Sequence, residues 1–159
     1  MLRGFRPEFL AKKTSSHTFA MLRTRRQEIM NKSKQEIEQI GEVVVDAMLK
    51  VHRALGPGLL ESTYQACLAH ELRCRGVEVG CEVVLPVKYD GIEIDAGYRI
   101  DMLVADCILV ENKSAPGVTP IHEAQLLTYL KLSGHRLGFL VNWNVPLIKD
   151  GIKRMVNGL

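Results

Sequence analysis

Hydrophobic residues recur three and four positions apart in the segment that follows Met30, and charged residues fill the positions between them. This spacing puts the apolar side chains on one face of a helix, so it predicts an amphipathic helix over 37–55. Gly56-Pro57-Gly58 ends that helix, because glycine and proline interrupt regular structure. A second helix is predicted over 59–75, since the glycine that follows is a natural C-terminal cap.

Farther along the chain the apolar residues alternate with polar ones, a period typical of β-strands. The segments 82–89 and 92–94 flank Asp90-Gly91, which is a strong signal for a hairpin turn. Two further strands are predicted over 98–104 and 107–113, around a three-residue loop centred on Asp106. This part of the chain therefore predicts three or four strands.

The remaining sequence predicts one more helix and one more strand. Thr119-Pro120 is typical of a helix start, because threonine caps the first turn and proline is tolerated there. The helix is expected to run to about Ser133 and to close at Gly134. The apolar run 137–142 is suited to a buried strand.

The composition is that of one soluble globular domain. The 159 residues are 47% hydrophobic and 25% charged, and a chain of this length can bury enough surface to fold without a metal or disulfide. No run of 18 apolar residues occurs, so the sequence predicts no membrane-spanning helix and no membrane association.

The net charge of +3 is unevenly distributed. Residues 1–29 hold seven basic and two acidic residues, a charge of +5, whereas 30–159 sum to −2. A transit peptide or a basic nucleic-acid tail would have this composition. Because 1–29 lack regular periodicity, we expect a disordered basic N-terminal extension there and one folded domain over 30–159.

The four cysteines form no C-x-x-C pair, which argues against a zinc ribbon and against thioredoxin-like redox chemistry. Cys67 and Cys74 lie seven positions apart on the second predicted helix, where buried thiols act as small hydrophobic groups. An iron–sulfur or zinc site is the alternative interpretation. Together with the missing apolar signal segment, reduced thiols predict a cytoplasmic protein.

Acidic residues meet in the predicted hairpin of 98–104 and 107–113. With a loop centred on Asp106, Asp101 lies opposite Glu111, and Lys113 shares a face with Glu111. The surrounding strand residues are apolar, so two carboxylates held there need a shared proton or a cation. Oxygen ligands on rigid strands suit Mg²⁺.

Each of these features also has an ordinary structural interpretation. Glu111 and Lys113 would form a common ion pair on a surface hairpin. Glu61, in the first turn of the second helix, would favour the helix dipole. Gln125 and Tyr129 would lie on the solvated face of an amphipathic helix. Their combination, however, forms a known arrangement.

Gly58-Leu59-Leu60-Glu61-Ser62-Thr63-Tyr64 resembles the signature that names the GxxExxY family, a group similar to the PD-(D/E)xK nucleases. The resemblance extends from about residue 36 to the C-terminus and includes 51–58, 97–101, 122–130 and 149–154. It implies an α/β fold, a restriction-endonuclease-like sandwich whose central mixed sheet of about four to five strands is flanked by helices.

The resemblance also implies roles for individual residues. Asp101 and Glu111 match the two acids of the motif, and Lys113 matches its lysine. Glu61 matches a helix acid that can complete the metal shell. The implied metal ligands are therefore Asp101, Glu111 and Glu61.

Gln125 and Tyr129 resemble the Q-x-x-x-Y element of the exonuclease-like branch, where the glutamine has a catalytic role and the tyrosine binds substrate. Gln125 is expected to position Lys113 or a phosphate. Asn112 departs from the family pattern, which usually has an apolar residue at that position. In the predicted register its side chain faces away from the metal.

These observations predict a phosphodiesterase that depends on Mg²⁺ or Mn²⁺ and acts on nucleic acid, with DNA as the expected substrate. The rival interpretation is a non-catalytic module that keeps the nuclease fold and binds nucleic acid or protein. The mildly acidic body and the 6% aromatic content fit ordinary non-specific DNA binding poorly. A structural role in a homodimer is a third alternative, although it leaves the aligned acids unexplained.

Overall fold

The computed structural model describes residues 32–94 and 98–159. The predicted extension over 1–29 lies outside these ranges. Two helices open the described chain, α1 over Lys34–Leu55 and α2 over Glu61–Cys74, which confirms the pair predicted from the spacing. Ser33 and Glu36 form a capping box that fixes the start of α1, because each side chain binds the backbone N–H of the other residue.

Five strands form the central sheet, and two short strands pair separately. The strands are β1 Val79–Val84, β2 Val87–Tyr89, β3 Ile92–Ile94, β4 Arg99–Val104, β5 Ile108–Lys113, β6 Leu137–Asn142 and β7 Ile152–Val156. The spatial order in the central sheet is β1-β4-β5-β6-β7. Antiparallel pairing joins every neighbouring pair in this sheet except β5 and β6, which are parallel.

Helices cover both faces of the mixed sheet. The helix α3 runs over Pro120–Ser133, with Thr119 as its cap and Gly134 in the left-handed conformation at its end, and α4 is a single turn over Ile148–Gly151. On one face, α1 and α2 bury Met48, Tyr64 and Leu68 in a core with side chains of the sheet. On the other face, α3 buries Leu126 and Leu130. The expected restriction-endonuclease-like α/β sandwich is confirmed.

The strand predicted over 82–89 is wrong in its bounds. It is two strands that break at Leu85-Pro86, and the first begins earlier, at Val79. Proline has no N–H to donate to a sheet ladder, which explains the break. The hairpin of β2 and β3 around Asp90-Gly91 was correctly predicted.

No strong signal in the sequence indicates α4 or β7. In β7 only Met155 is buried, so the strand lacks the alternation by which a half-buried strand is recognised. None of the helices in 32–94 and 98–159 combines the length and apolarity that crossing a membrane requires.

Gly151 is expected to be intolerant of any side chain. A Cβ at this position would lie 2.1 Å from the backbone oxygen of Asn142 and 2.9 Å from a methyl group of Val145. The Gly151→Ala variant should therefore lose about 1–3 kcal/mol of unfolding free energy or more, measured as a lower urea midpoint. Gly117→Ala is the matched control, because a Cβ there has no neighbour within 4 Å. Equal midpoints for the two variants would contradict the packing at Gly151.

Candidate active site

The register of the β4–β5 hairpin brings Asp101 and Glu111 together. Backbone pairing joins Met102–Val104 to Ile108–Val110 with Val104 opposite Ile108, which is the register predicted from the sequence. One step beyond this ladder, the Asn112 N–H donates to Asp101 Oδ2 at 2.7 Å. The side chain of Asp101 thus takes a backbone donor of the neighbouring strand and is held beside Glu111.

Glu111 is buried without full hydrogen bonding. Its side chain is 2% exposed, Oε1 accepts a hydrogen bond from Lys113 Nζ at 2.8 Å, and Oε2 is buried with no hydrogen-bond partner among the residues that the structure describes. Burial, together with the nearby charge of Asp101, raises the pKa of Glu111 to about 7 despite the opposing effect of Lys113. Burial also raises the pKa of Asp101, against the effect of the Asn112 N–H. A bound cation or a shared proton would reduce the repulsion between the Asp101 and Glu111 carboxylates.

Lys113 supplies a charged ammonium next to the acids. Burial alone would lower the pKa of this partly buried lysine. The hydrogen bond to Glu111 and the negative charges of Asp101 and Glu61 outweigh burial, so the pKa of Lys113 is raised. The lysine therefore keeps its proton at neutral pH.

Glu61 reaches the same end of the sheet from the start of α2. Its Oε2 accepts a hydrogen bond from the Ser114 N–H at 3.1 Å, and the Ser114 hydroxyl donates to the Leu59 carbonyl at 2.7 Å. The charge of Glu61 also raises the pKa values of Asp101 and Glu111. The three acids are therefore coupled electrostatically.

Coupling does not make the three acids a preformed metal shell. Within 32–94 and 98–159, no group of three or more His, Cys, Asp or Glu side chains is arranged to hold a metal ion. The geometry thus gives the implied role of Glu61 as a direct ligand no support. Asp101 and Glu111 suffice for Mg²⁺, which typically takes one or two carboxylates, and the unpartnered Glu111 Oε2 is a suitable ligand atom.

Gln125 was expected to position either Lys113 or a phosphate. Its Nε2 donates to Tyr129 Oη at 3.0 Å, and no hydrogen bond joins it to Lys113 among the described residues, so the role towards a phosphate stays a prediction. Both residues line a groove beside α3, together with Tyr98 and Ile121. The predicted site is therefore divided into an acid–lysine cluster and a neighbouring groove.

The model of one protein family matches residues 38–155, about three-quarters of the chain, and its description is the PD-(D/E)XK nuclease superfamily. The chain belongs to this superfamily. Asp101 and Glu111-Asn112-Lys113 fit the acid and the acid-x-lysine in the superfamily's name. No curated protein and no solved structure gave a match. Membership indicates a nuclease-like function and binding of nucleic acid, and nucleases of this superfamily generally use divalent metal ions.

A buried hydrogen bond that the sequence did not predict supports β5 on the face opposite Glu111 and Lys113. Asn112 is fully buried, and its Oδ1 accepts a hydrogen bond from Trp143 Nε1 at 2.9 Å. The side chain thus faces away from Asp101 and Lys113, as strand alternation requires. The available signal for this contact in the sequence was an asparagine within a strand that is rich in apolar residues, in a chain that contains one tryptophan.

Tyr64, the tyrosine of the GxxExxY-like segment, contacts the same tryptophan. Its ring stacks on Trp143 with centroids 4.8 Å apart and an interplanar angle of 2°. Its hydroxyl donates to the Gly56 carbonyl at 2.6 Å and accepts from the Leu59 N–H at 3.1 Å. Tyr64 therefore fixes the loop that leads into Glu61.

The loop after Lys113 is fixed by Asn142 at the end of β6. The Asn142 side chain is buried and binds both the N–H and the carbonyl of Ala115, at 3.2 and 3.0 Å. This double contact mimics strand pairing. It holds Ser114, and through it Glu61, close to the acid pair.

Trp143→Phe should destabilise the protein through Asn112. The change removes the indole N–H and leaves a buried amide oxygen unpaired, which costs about 1–3 kcal/mol. Chemical denaturation measures this loss. The double variant Asn112→Leu/Trp143→Phe is the control, since replacing both polar partners should recover part of the stability. Strictly additive losses would contradict a specific Asn112–Trp143 interaction.

The electrostatics of Glu111 predict a pH-dependent stability in EDTA. An acid whose folded pKa is raised from 4.5 to about 7 binds its proton more tightly when folded, so stability should fall as the pH rises from about 4.5 to about 7 and then level off. The loss is of the order of 3 kcal/mol. Glu111→Gln should flatten this slope in thermal melts, whereas Glu42→Gln, a change at an exposed acid on α1, should keep it. An unchanged slope in Glu111→Gln would refute the assignment.

Proposed function

We propose that the protein is a GxxExxY-family phosphodiesterase that uses Mg²⁺ or Mn²⁺ to hydrolyse DNA. The observation that carries this proposal is the Asp101–Glu111 pair, which combines raised carboxylate pKa values, an unpartnered buried oxygen and an adjacent ammonium. A purely structural ion pair needs one acid and one base. The second acid, the half-buried Asp101, is accounted for when a cation binds between the two.

Asp101 and Glu111 would hold the metal. When bound, a divalent ion lowers the pKa of a coordinated water and offsets charge on the phosphoryl oxygens. The Asn112 N–H orients the Asp101 carboxylate. Lys113 orients Glu111 through their hydrogen bond, and its ammonium would donate to a phosphoryl oxygen as negative charge develops there.

Glu61, Gln125 and Tyr129 have supporting roles in this proposal. Glu61 adds negative charge at the rim, which strengthens the attraction of the acid pair for a cation. Gln125 and Tyr129 would contact the substrate from the groove beside α3. Two basic residues of β7, Lys153 and Arg154, form ion pairs with Glu123 and Glu38, so they are weak candidates for binding the DNA backbone.

The rival function, a non-catalytic binding module, differs in its need for metal. Calorimetric titration with Mn²⁺ separates the two, because a binding module has no use for an ion at Asp101 and Glu111. We expect the unmodified protein and Glu42→Gln to bind Mn²⁺ and Glu111→Gln to lose that binding. Absence of Mn²⁺ binding to the folded protein, together with retained binding of oligonucleotides, would favour the module.

A further inference from the structure

A groove lies between Val87 of β2 and α3, and Tyr98, the residue just before β4, forms part of its wall. Apolar and aromatic side chains form most of its walls, and polar atoms of Gln125 and Thr128 are present on the α3 side. The cavity measures about 530 Å³, which is within the range of ordinary ligand sites. Its walls include Val87, Tyr98, Ile121, Gln125, Tyr129 and Leu132.

Two tyrosines meet in this groove in different environments. Their ring centroids lie 6.3 Å apart at an angle of 62°, an edge-to-face pair. Tyr129 is 6% exposed, and its hydroxyl accepts a hydrogen bond from Gln125. Its ring is therefore a fixed part of the groove wall. Tyr98 is 48% exposed and presents aromatic surface to solvent.

Tyr98 immediately precedes β4, the strand that carries Asp101. Its carbonyl accepts a hydrogen bond from the Leu85 N–H at 2.8 Å, so the chain is fixed just before β4 begins. Asp101 follows three residues later, which corresponds to about 10 Å along a strand. Arg99, exposed between them, adds a positive charge where a phosphate could bind.

We propose that this groove binds an unpaired nucleobase, stacked on Tyr98, while the adjacent backbone reaches Asp101 and Glu111. The inference rests on the proposed function and narrows its substrate to single-stranded or frayed nucleic acid. A base inside a duplex has both faces covered and must leave the stack to enter such a groove. An aromatic ring accepts any base face, and the Gln125 amide and Thr128 hydroxyl can serve its polar edge.

The composition of the groove walls favours a nucleobase over an apolar protein segment as the occupant. The side chains of an apolar protein segment form no hydrogen bonds with the polar atoms of the α3 wall. A nucleobase offers both an aromatic face for Tyr98 and a polar edge for Gln125 and Thr128.

The test compares Tyr98→Ala with Tyr98→Phe and with Tyr89→Ala. Tyr89 is 72% exposed and does not line the groove, so its removal is the matched control. Fluorescence anisotropy would measure binding of a labelled oligothymidylate, an abasic strand of equal length and a duplex, with Ca²⁺ replacing Mg²⁺ to suppress cleavage. Melting temperatures would verify that each variant is folded.

We expect Tyr98→Ala to bind the oligothymidylate at least about fivefold more weakly, as loss of one base–aromatic stack predicts. Tyr98→Phe and Tyr89→Ala should bind like the unmodified protein, and the abasic strand should bind weakly to every variant. Equal losses on the single strand, duplex and abasic strand would overturn the stacking inference and leave the phosphodiesterase proposal intact. No binding and no metal-dependent cleavage of any nucleic acid by the folded protein would overturn both.

Discussion

Asp101→Asn is expected to unfold at the same temperature as the unmodified protein or a higher one in EDTA, and to lose the rise in melting temperature caused by Mg²⁺ or Mn²⁺. The change removes the repulsion between Asp101 and Glu111, both of which have raised pKa values. An asparagine oxygen can still accept the Asn112 N–H, and the Lys113–Glu111 pair remains. The substitution therefore removes a proposed metal ligand while it keeps the hydrogen bonds made by the Asn112 N–H and by Lys113.

The size of the metal effect follows from linkage. A ligand present at about 100 times its dissociation constant stabilises the folded state by about 2.7 kcal/mol, which Asp101→Asn should forfeit. Glu42→Gln is the control, since it removes an exposed acid on α1. If the carboxylates served only architecture, Asp101→Asn would instead destabilise the apo protein by about 1–3 kcal/mol, and the parent would show no metal-dependent shift.

Lys113→Met should reduce single-turnover cleavage about 100- to 1,000-fold, the usual cost of losing one group that stabilises charge in the transition state. Methionine keeps much of the apolar stem and removes the ammonium that lies 2.8 Å from Glu111. The metal-induced rise in melting temperature should persist, because both acids remain. This combination distinguishes a catalytic lysine from one that only neutralises Glu111.

Two variants control for the loss of charge at Lys113. Lys113→Arg keeps the positive charge but changes its geometry, so we expect it to recover only part of the rate. Lys50→Met removes a lysine of α1 that pairs with Glu71 of α2, and it should leave cleavage unchanged. Full activity in Lys113→Met would contradict the proposed role of the lysine.

The acid pair was predictable because it depends on local geometry. In a hairpin, the turn fixes which residues face each other, and the three-residue loop around Asp106 placed Val104 opposite Ile108. The same reasoning placed Asn112 on the opposite face from Lys113. Both inferences need only the period of two along a strand.

The supporting contacts could not be predicted because they join distant parts of the chain. Asn112 and Trp143 are 31 residues apart, and neither strand pattern indicates that an indole reaches the asparagine. Gln125 illustrates the same limit on a helix. Periodicity places it beside Tyr129. Whether it also contacts Lys113 depends on how α3 packs on the sheet, which periodicity does not determine.

The most direct test of the central claim is cleavage of labelled single-stranded DNA, duplex DNA and RNA of one sequence, each with Mg²⁺, Mn²⁺ or EDTA. We expect metal-dependent hydrolysis of DNA by the unmodified protein, none in EDTA, and a large loss of activity in Lys113→Met. Folded protein that cleaves no substrate with either metal, or cleaves equally well in EDTA, would contradict the claim.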